Sequence, residues 1–282
     1  MKNNPVYTIQ NFNAPIRKND LYVNTFKHHL EEHSFIEKPH RHNFYLLVLF
    51  TDGSGIHEID FDKFSIKPGS LFVLQPGQIH NWNLSNDIEG YIVFYSQEIY
   101  NLHFGNRKIE EYPFYRSVRT NPEIVLDIKE LNSVLPYFEL MMNKQADSSI
   151  LLNLLDCIHI EMARKYTTEN SHITHSYNHR IQQFESILEE YYKTEKSPSF
   201  YASEMNITLK HLNRICKDIL GKTVTELITN RIILETKRLL INPKKSINQV
   251  ADELGFENYS YFTKLFKKHT EVTPSEFRNN VK

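Results

Sequence analysis

The chain has 282 residues, of which 40% are hydrophobic, 12% aromatic and 24% charged, with a formal net charge of −1. That length suits about two domains, and the composition suits a folded protein rather than a disordered one. Cys157 and Cys216 are the only cysteines and lack metal-ligand spacing, which argues against a disulfide scaffold or a zinc finger. No apolar run approaches a membrane span, and the polar start Met1-Lys2-Asn3-Asn4-Pro5 does not read as a signal peptide. The expected location is the cytoplasm, with no membrane partner.

The charge is unevenly spread. Residues 179–282 carry 17 Lys and Arg against 13 Asp and Glu, whereas residues 1–178 carry 16 against 21. A basic half joined to an acidic half points to phosphate contact by the C-terminal half alone.

In chain order, residues 1–20 are polar and contain Pro5 and Pro15, which reads as an extended arm. Residues 22–96 then show short apolar runs, at 44–50, 56–61, 70–74 and 90–95, separated by turn pairs such as Asp52-Gly53, Pro68-Gly69 and Pro76-Gly77. Such runs predict an antiparallel sandwich or small barrel. Past Leu126 the period becomes helical, with Leu131, Val134, Leu135, Phe138 and Met142, then Ile150, Leu151, Leu154, Leu155, Ile158 and Met162. The polar stretch 167–178 reads as a linker. The fold expected is α+β and multidomain. An N-terminal barrel or sandwich with following helices (1–170) precedes an all-α C-terminal domain (171–282).

The C-terminal domain carries one pattern twice. Phe200-Tyr201-Ala202-Ser203-Glu204-Met205, a turn, and a basic helix through Lys217 are matched by Gln249-Val250-Ala251-Asp252-Glu253-Leu254, a turn, and a second basic helix through Lys267. Each reads as a helix-turn-helix, at about 198–219 and 246–269, whose second helix enters the DNA major groove. Capping boxes are expected at Thr223 with Glu226, Ser246 with Gln249 and Thr273 with Glu276. Asn242-Pro243 closes a linker helix spanning about 223–241. With Ala202, Met205, Leu212, Ile215 and Cys216 inward, and Ala251, Leu254, Phe262, Leu265 and Phe266 likewise, Lys210, Asn213, Arg214 and Lys217 face outward. So do Tyr259, Ser260, Thr263, Lys264 and Lys267. Arg and Lys pair with guanine and Asn with adenine, while Thr and Tyr reach base edges or phosphate.

Residues 200–278 resemble the DNA-binding domain of AraC-type (AraC/XylS) transcriptional regulators. The match is densest from Ile247 through Phe256, from Tyr261-Phe262-Thr263-Lys264-Leu265-Phe266-Lys267-Lys268, and in Thr273-Pro274-Ser275-Glu276-Phe277-Arg278. The resemblance implies two recognition helices in successive major grooves of promoter DNA, with base-reading positions at Lys210, Asn213, Arg214, Tyr259, Ser260, Thr263 and Lys264. It also implies a homodimer paired through helices near residues 150–162, and possible contact with RNA polymerase as an activator. Glu271 stands where the family usually has Gly, so a looser or differently closed turn is expected there.

His40-Arg41-His42, then Gly69, then Pro76-Gly77-Gln78-Ile79-His80 resemble a degenerate cupin, the small barrel preceding the DNA-binding domain in sugar-responsive members. Where a cupin enzyme carries its Glu ligand, this chain has Leu46 and Leu47. Three imidazoles are able to ligate zinc, but without the carboxylate the expectation is no metal, no cofactor and no catalysis. Trp82, two residues past His80, is the leading effector contact, with His80, His42, His40 and Tyr91 as further polar candidates. The competing role for Trp82 is that of a core aromatic. Two alternatives stand beside a ligand-controlled regulator: a metal-dependent cupin enzyme, and a regulator without an effector.

Overall fold

A computed structural model describes residues 6–12, 16–18, 21–33, 39–105, 109, 112–115, 121–143, 147–169, 175–242 and 244–280. Two compact units emerge, one spanning residues 4–115 and 119–171 and the other containing residues 172–282.

The N-terminal unit begins with β1 (Val6–Tyr7), β2 (Ile16–Lys18), β3 (Leu21–Thr25) and α1 (Phe26–Glu32). There follow β4 (His40–His42), β5 (Tyr45–Asp52), β6 (Gly55–Ile59), β7 (Asp62–Ile66), β8 (Ser70–Leu74), β9 (Ile79–Leu84) and β10 (Glu89–Tyr95). Then come α2 (Gln97–Phe104), β11 (Glu123–Val125), α3 (Ile128–Asn143) and α4 (Ser148–Glu169). The strands form a five-stranded sheet, β1-β4-β9-β6-β7, and a six-stranded sheet, β11-β8-β5-β10-β3-β2. Leu46, Val48 and Phe50 of β5 enter the core between the sheets, with Phe12, Tyr22, Phe26, Phe72, Trp82 and Phe94. The alternate residues Tyr45, Leu47 and Leu49 pack with Val134, Phe138, Leu151, Leu155 and Ile158 of α3 and α4. Apolar burial on both faces explains why residues 44–50 read as a continuous apolar run instead of an alternation.

Three sequence expectations change. The run 56–61 is not one strand: the chain reverses at Asp60, whose φ is 54°, and Ile59 pairs with Asp62 across the β6–β7 hairpin. An Asp tolerates this left-handed backbone, and its carboxylate accepts the Ile79 amide and the Gln78 side chain. The arm at 1–20 contains paired strands, β1 running parallel to β4 and β2 antiparallel to β3, while Pro5 and Pro15 lie outside the described residues. The stretch 167–178 is helical at both ends, since α4 runs to Glu169 and the next helix starts at His175.

Every regular element among the described residues of the C-terminal unit is a helix: α5 (His175–Tyr191), α6 (Pro198–Glu204), α7 (Leu209–Leu220), α8 (Val224–Leu240), α9 (Ile247–Glu253), α10 (Tyr259–Thr270) and α11 (Pro274–Asn280). The expected capping boxes of α8 and α9 form, at Thr223/Glu226 and Ser246/Gln249. At the start of α11 the Thr273 amide and hydroxyl donate to Glu276, whose amide donates back to Thr273 Oγ1. Each reciprocal pair satisfies amides that the first turn of a helix leaves without a partner. No helix among the described residues is long and apolar enough to cross a membrane.

Candidate DNA-binding surface and effector site

The two helix-turn-helix units share their backbone in detail. In α6–α7 the amide of Ile207 donates to Ala202 O and that of Asn206 to Ser203 O. In α9–α10 Phe256 donates to Ala251 O and Gly255 to Asp252 O. Both turns pivot on a left-handed residue, Asn206 at φ 52° and Gly255 at φ 68°. At Gly255 no side chain fits, because a Cβ would overlap the Lys193 carbonyl. Lys196 holds this turn from outside, its ammonium donating to Gly255 O and lying 5.1 Å from the Phe256 ring centroid. The recognition helices then start on matched side-chain caps, Thr208 accepting from the His211 amide and Asn258 from that of Tyr261.

Both recognition helices also end alike. Gly221 closes α7 at φ 66°, ψ 10°, and Glu271 closes α10 at φ 65°, ψ −10°. The amide of each donates to the carbonyl four residues back. The turn at Glu271 is therefore neither looser nor differently closed, and the cost of the departure from Gly falls on the residue itself. A β-carbon in this conformation costs about 1 kcal/mol. Glu271→Gly is expected to stabilise the C-terminal unit by roughly that amount, a rise of several degrees in its thermal midpoint. An unchanged or lowered midpoint would mean that the Glu271 side chain contributes a compensating contact.

Lys210, Arg214 and Lys217 of α7 are exposed, as are Tyr259, Ser260, Lys264 and Lys267 of α10; Asn213 and Thr263 are half-buried. Lys210, Asn213, Arg214 and Lys217 line a cleft of about 750 Å³ together with Thr223 and Thr225 at the start of α8. Two of the candidates are already engaged within the protein. The Asn213 side-chain oxygen accepts the Val224 amide at 3.0 Å, tying α7 to α8. The Tyr259 hydroxyl donates to Asp252 at 2.7 Å, which fixes the ring across the turn. His211 also lines the cleft, and Tyr261 is 57% exposed. Neither is among the candidates read from the sequence.

In the N-terminal unit the five-stranded sheet collects histidines on its inward face. His40 pairs with His80 across β4 and β9, and His57 pairs with Trp82 across β6 and β9. The ring centroids of His40 and His80 lie 4.3 Å apart, those of His42 and His80 5.0 Å, and those of His57 and His80 5.4 Å. Trp82 is buried, 4.7 Å from His80 and 5.3 Å from Phe26. Its role as a core aromatic is met in full, and its place beside the histidines is met as well. Tyr91 does not join them. It lies on the helix-facing side of β10, stacked on Phe138 at 5.5 Å, because residues alternate sides along a strand. His29 from α1 and His57 from β6 join instead, and neither belongs to the pattern His40-Arg41-His42…His80. Burial drives the His42 pKa down to about 3 and those of His29, His57 and His80 well below the ordinary value. Among the described residues no group of three or more His, Cys, Asp or Glu side chains is arranged to hold a metal ion.

Comparison with known proteins follows this division. A profile for the AraC-like ligand binding domain matches residues 22–176, and a profile for a helix-turn-helix domain matches residues 201–280. The chain belongs to the AraC family. It is a DNA-binding transcription regulator with an N-terminal ligand-binding domain. The HTH-type transcriptional activator RhaR of Mannheimia succiniciproducens is 22% identical over 242 residues, covering 85% of this chain and 86% of the relative. The probable transcription factor PqrA of Proteus vulgaris is 41% identical over 70 residues, covering 25% of this chain and 57% of the relative. Among solved structures, ToxT of Vibrio cholerae O395 aligns over 92% of this chain and 95% of its own at 15% identity, with a TM-score of 0.44.

Proposed function

We propose that residues 171–282 read an asymmetric promoter sequence through α7 and α10, and that residues 1–170 bind a small-molecule effector and form a homodimer. The observation that carries this reading is the repeated backbone of the two helix-turn-helix units, down to matched turn residues, N-caps and C-caps. Two motifs joined within one chain by α8 are not related by a two-fold axis. One subunit is therefore expected to protect two unlike patches about one helical turn, roughly 34 Å, apart. Footprinting that showed one short palindrome, with one motif from each subunit, would exclude this arrangement.

Arg214→Ala is expected to cost about 1–3 kcal/mol of specific binding and to relax preference at one base position. Lys267→Ala is expected to weaken binding to all sequences and to reduce the salt slope by about one unit. A binding-selection assay separates these outcomes, and unchanged sequence preference in Arg214→Ala would remove Arg214 from the base-reading set.

Dimerisation is supported by α4. Leu151, Leu155, Ile158 and Met162 are buried against the N-terminal unit, while Ile150 and Ile160 are exposed and Leu154 and Cys157 half-exposed on the outer side. Two copies of that outer stripe would cover each other. Effector binding then acts as a population shift, favouring one arrangement of the subunits and so changing which half-sites the dimer spans. Relatives named as transcriptional activators, RhaR among them, support activation, and with it RNA polymerase as a partner and the cytoplasm as the location. They also support a role without catalysis.

A further inference from the structure

The base-reading candidates differ in what they exchange with DNA. The lysines and Arg214 only donate hydrogen bonds, whereas the hydroxyls of Ser260 and Thr263 donate or accept. Tyr259 belongs with the hydroxyls by type, but its single proton is committed. It donates to an Asp252 carboxylate oxygen at 2.7 Å, and an ionised carboxylate has no proton to give back. That bond raises the Tyr259 pKa above its ordinary value, so the phenol keeps its proton at neutral pH. Lone pairs are what the phenol oxygen has left to offer.

The scaffold behind this bond is rigid. Tyr259 is the first residue of α10 and 42% exposed, at the end of a recognition helix that reaches base edges. Asp252 stands exposed in α9, and its carbonyl accepts the Gly255 amide. Ala251, Leu254 and Phe262 are buried in one core, and the Phe256 amide donates to Ala251 O. The carboxylate and the phenol are thus in place before DNA arrives, so no ordering of either is needed on binding.

The partners open to such an oxygen are few. A phosphate oxygen only accepts. Bonding one would turn the Tyr259 proton away from Asp252 and leave that carboxylate beside a phosphate, and like charges set together are costly. Guanine and thymine also present only acceptors at their major-groove edges, N7 and O6 in one and O4 in the other. Adenine N6 and cytosine N4 are amino groups that donate. We propose that Asp252 sets Tyr259 to accept from a base amino group, so that α10 selects adenine or cytosine at one position and rejects guanine and thymine. Tyr259 reads the base, and Asp252 is a positioning residue for that choice. The lysines and Arg214 favour the opposite polarity, the acceptors of guanine. This assignment rests on the promoter-reading function above and adds a base class to one position of it.

The test uses the full-length protein and binding selection from random duplexes. Wild type is expected to show one position where adenine or cytosine exceeds guanine and thymine by about fivefold or more. Tyr259→Phe, which removes the oxygen alone, is expected to level that position and leave the others unchanged. Asp252→Ala frees the phenol proton, and the same position is expected to admit guanine and thymine. A second measurement does not depend on how a variant at Asp252 folds. The amino group is deleted from the DNA, with purine in place of adenine or 2-pyrimidinone in place of cytosine. Wild type is expected to lose about five- to tenfold in affinity and Tyr259→Phe almost nothing. Equal losses in the two proteins overturn the assignment. So does a Tyr259→Phe variant that binds every sequence more weakly by one factor, which would place the hydroxyl on a phosphate. In both cases two footprinted patches and a base preference lost in Arg214→Ala would leave the promoter-reading function standing. Recovery of no preferred sequence by wild type counts against that function and overturns the assignment with it.

Discussion

Acidification from pH 7 to pH 5 is expected to unfold the N-terminal unit while the C-terminal helices persist. Five buried imidazoles, His29, His42, His57, His80 and His159, have pKa values lowered first of all by burial, His42 and His159 to about 3. The folded unit therefore keeps them neutral at pH values where the unfolded chain, with an ordinary histidine pKa near 6.5, binds protons. Stability is full above about pH 6.5 and falls as pH drops through the interval down to the folded-state values. Each such histidine contributes a slope of about 1.4 kcal/mol per pH unit, so five together contribute about 7 kcal/mol per unit. A domain stability of about 5–15 kcal/mol is exhausted near pH 5 on that slope. Trp82, the sole tryptophan, sits among these rings and reports the transition by its emission. In the C-terminal unit His179, His211 and His269 are not buried, so its helical circular dichroism should outlast the Trp82 transition. A Trp82 signal still native at pH 4.5 would mean that the imidazoles are charged or solvated in the folded state.

What the sequence revealed depended on the distance over which each signal acts. Capping boxes, turn residues and the inward spacing of Ala202, Met205, Leu212 and their counterparts are local, and the helices of the C-terminal unit stand where those signals put them. The strand run at 44–50 was legible for the same reason, because burial on both faces leaves no polar residue to interrupt it. The histidine cluster was only half legible. His40, His42 and His80 stood out by spacing, but His29 arrives from α1 and His57 from β6, and only the pairing of β6 with β9 brings His57 opposite Trp82. Tyr91 was misplaced because alternation gives a side only once the strand's phase is known, and that phase is fixed by Ile92 and Phe94 entering the inter-sheet core. The reversal at Asp60 escaped notice because neither Gly nor Pro marks it. Asn213 looked like a free adenine reader, yet a residue eleven positions later donates to it, and outward facing on one helix says nothing about the start of the next.

Arg231→Ala is expected to destabilise the C-terminal unit by about 3 kcal/mol, the lower end of the range for breaking a buried ion pair. Arg231 is nearly buried in α8. Its Nε donates to Glu189 of α5 at 2.8 Å, its Nη1 donates to Glu235 one turn along at 2.9 Å, and its guanidinium lies 3.9 Å over the Tyr192 ring. Alanine removes all three contacts and leaves the Glu235 carboxylate, 17% exposed, with Arg238 at 3.5 Å as its ion-pair partner among the described residues. For a unit of about 100 residues that loss lowers the thermal midpoint by more than about 10 °C. The pH dependence identifies the cause. Burial alone would raise the Glu235 pKa, but Arg231 and Arg238 overcome it and hold the carboxyl below its ordinary value. A carboxyl so depressed contributes stability that is present above the unfolded pKa, near 4.3, and is lost as pH falls through the folded value. Without Arg231 that contribution shrinks or reverses, because protonation then relieves a poorly paired buried charge. The gap between wild type and Arg231→Ala should therefore narrow between pH 7 and pH 4, and Glu235→Gln should recover part of the loss in the variant while costing stability in the wild type. Calorimetry on the full chain tests both statements. A midpoint shift below about 3 °C, or a gap that stays constant with pH, would assign Arg231 no more than the small value of a surface pair. Because α8 joins the two recognition units, a loosened Arg231 site should also weaken DNA binding to both contact patches together, unlike the change at a single base position expected of Arg214→Ala.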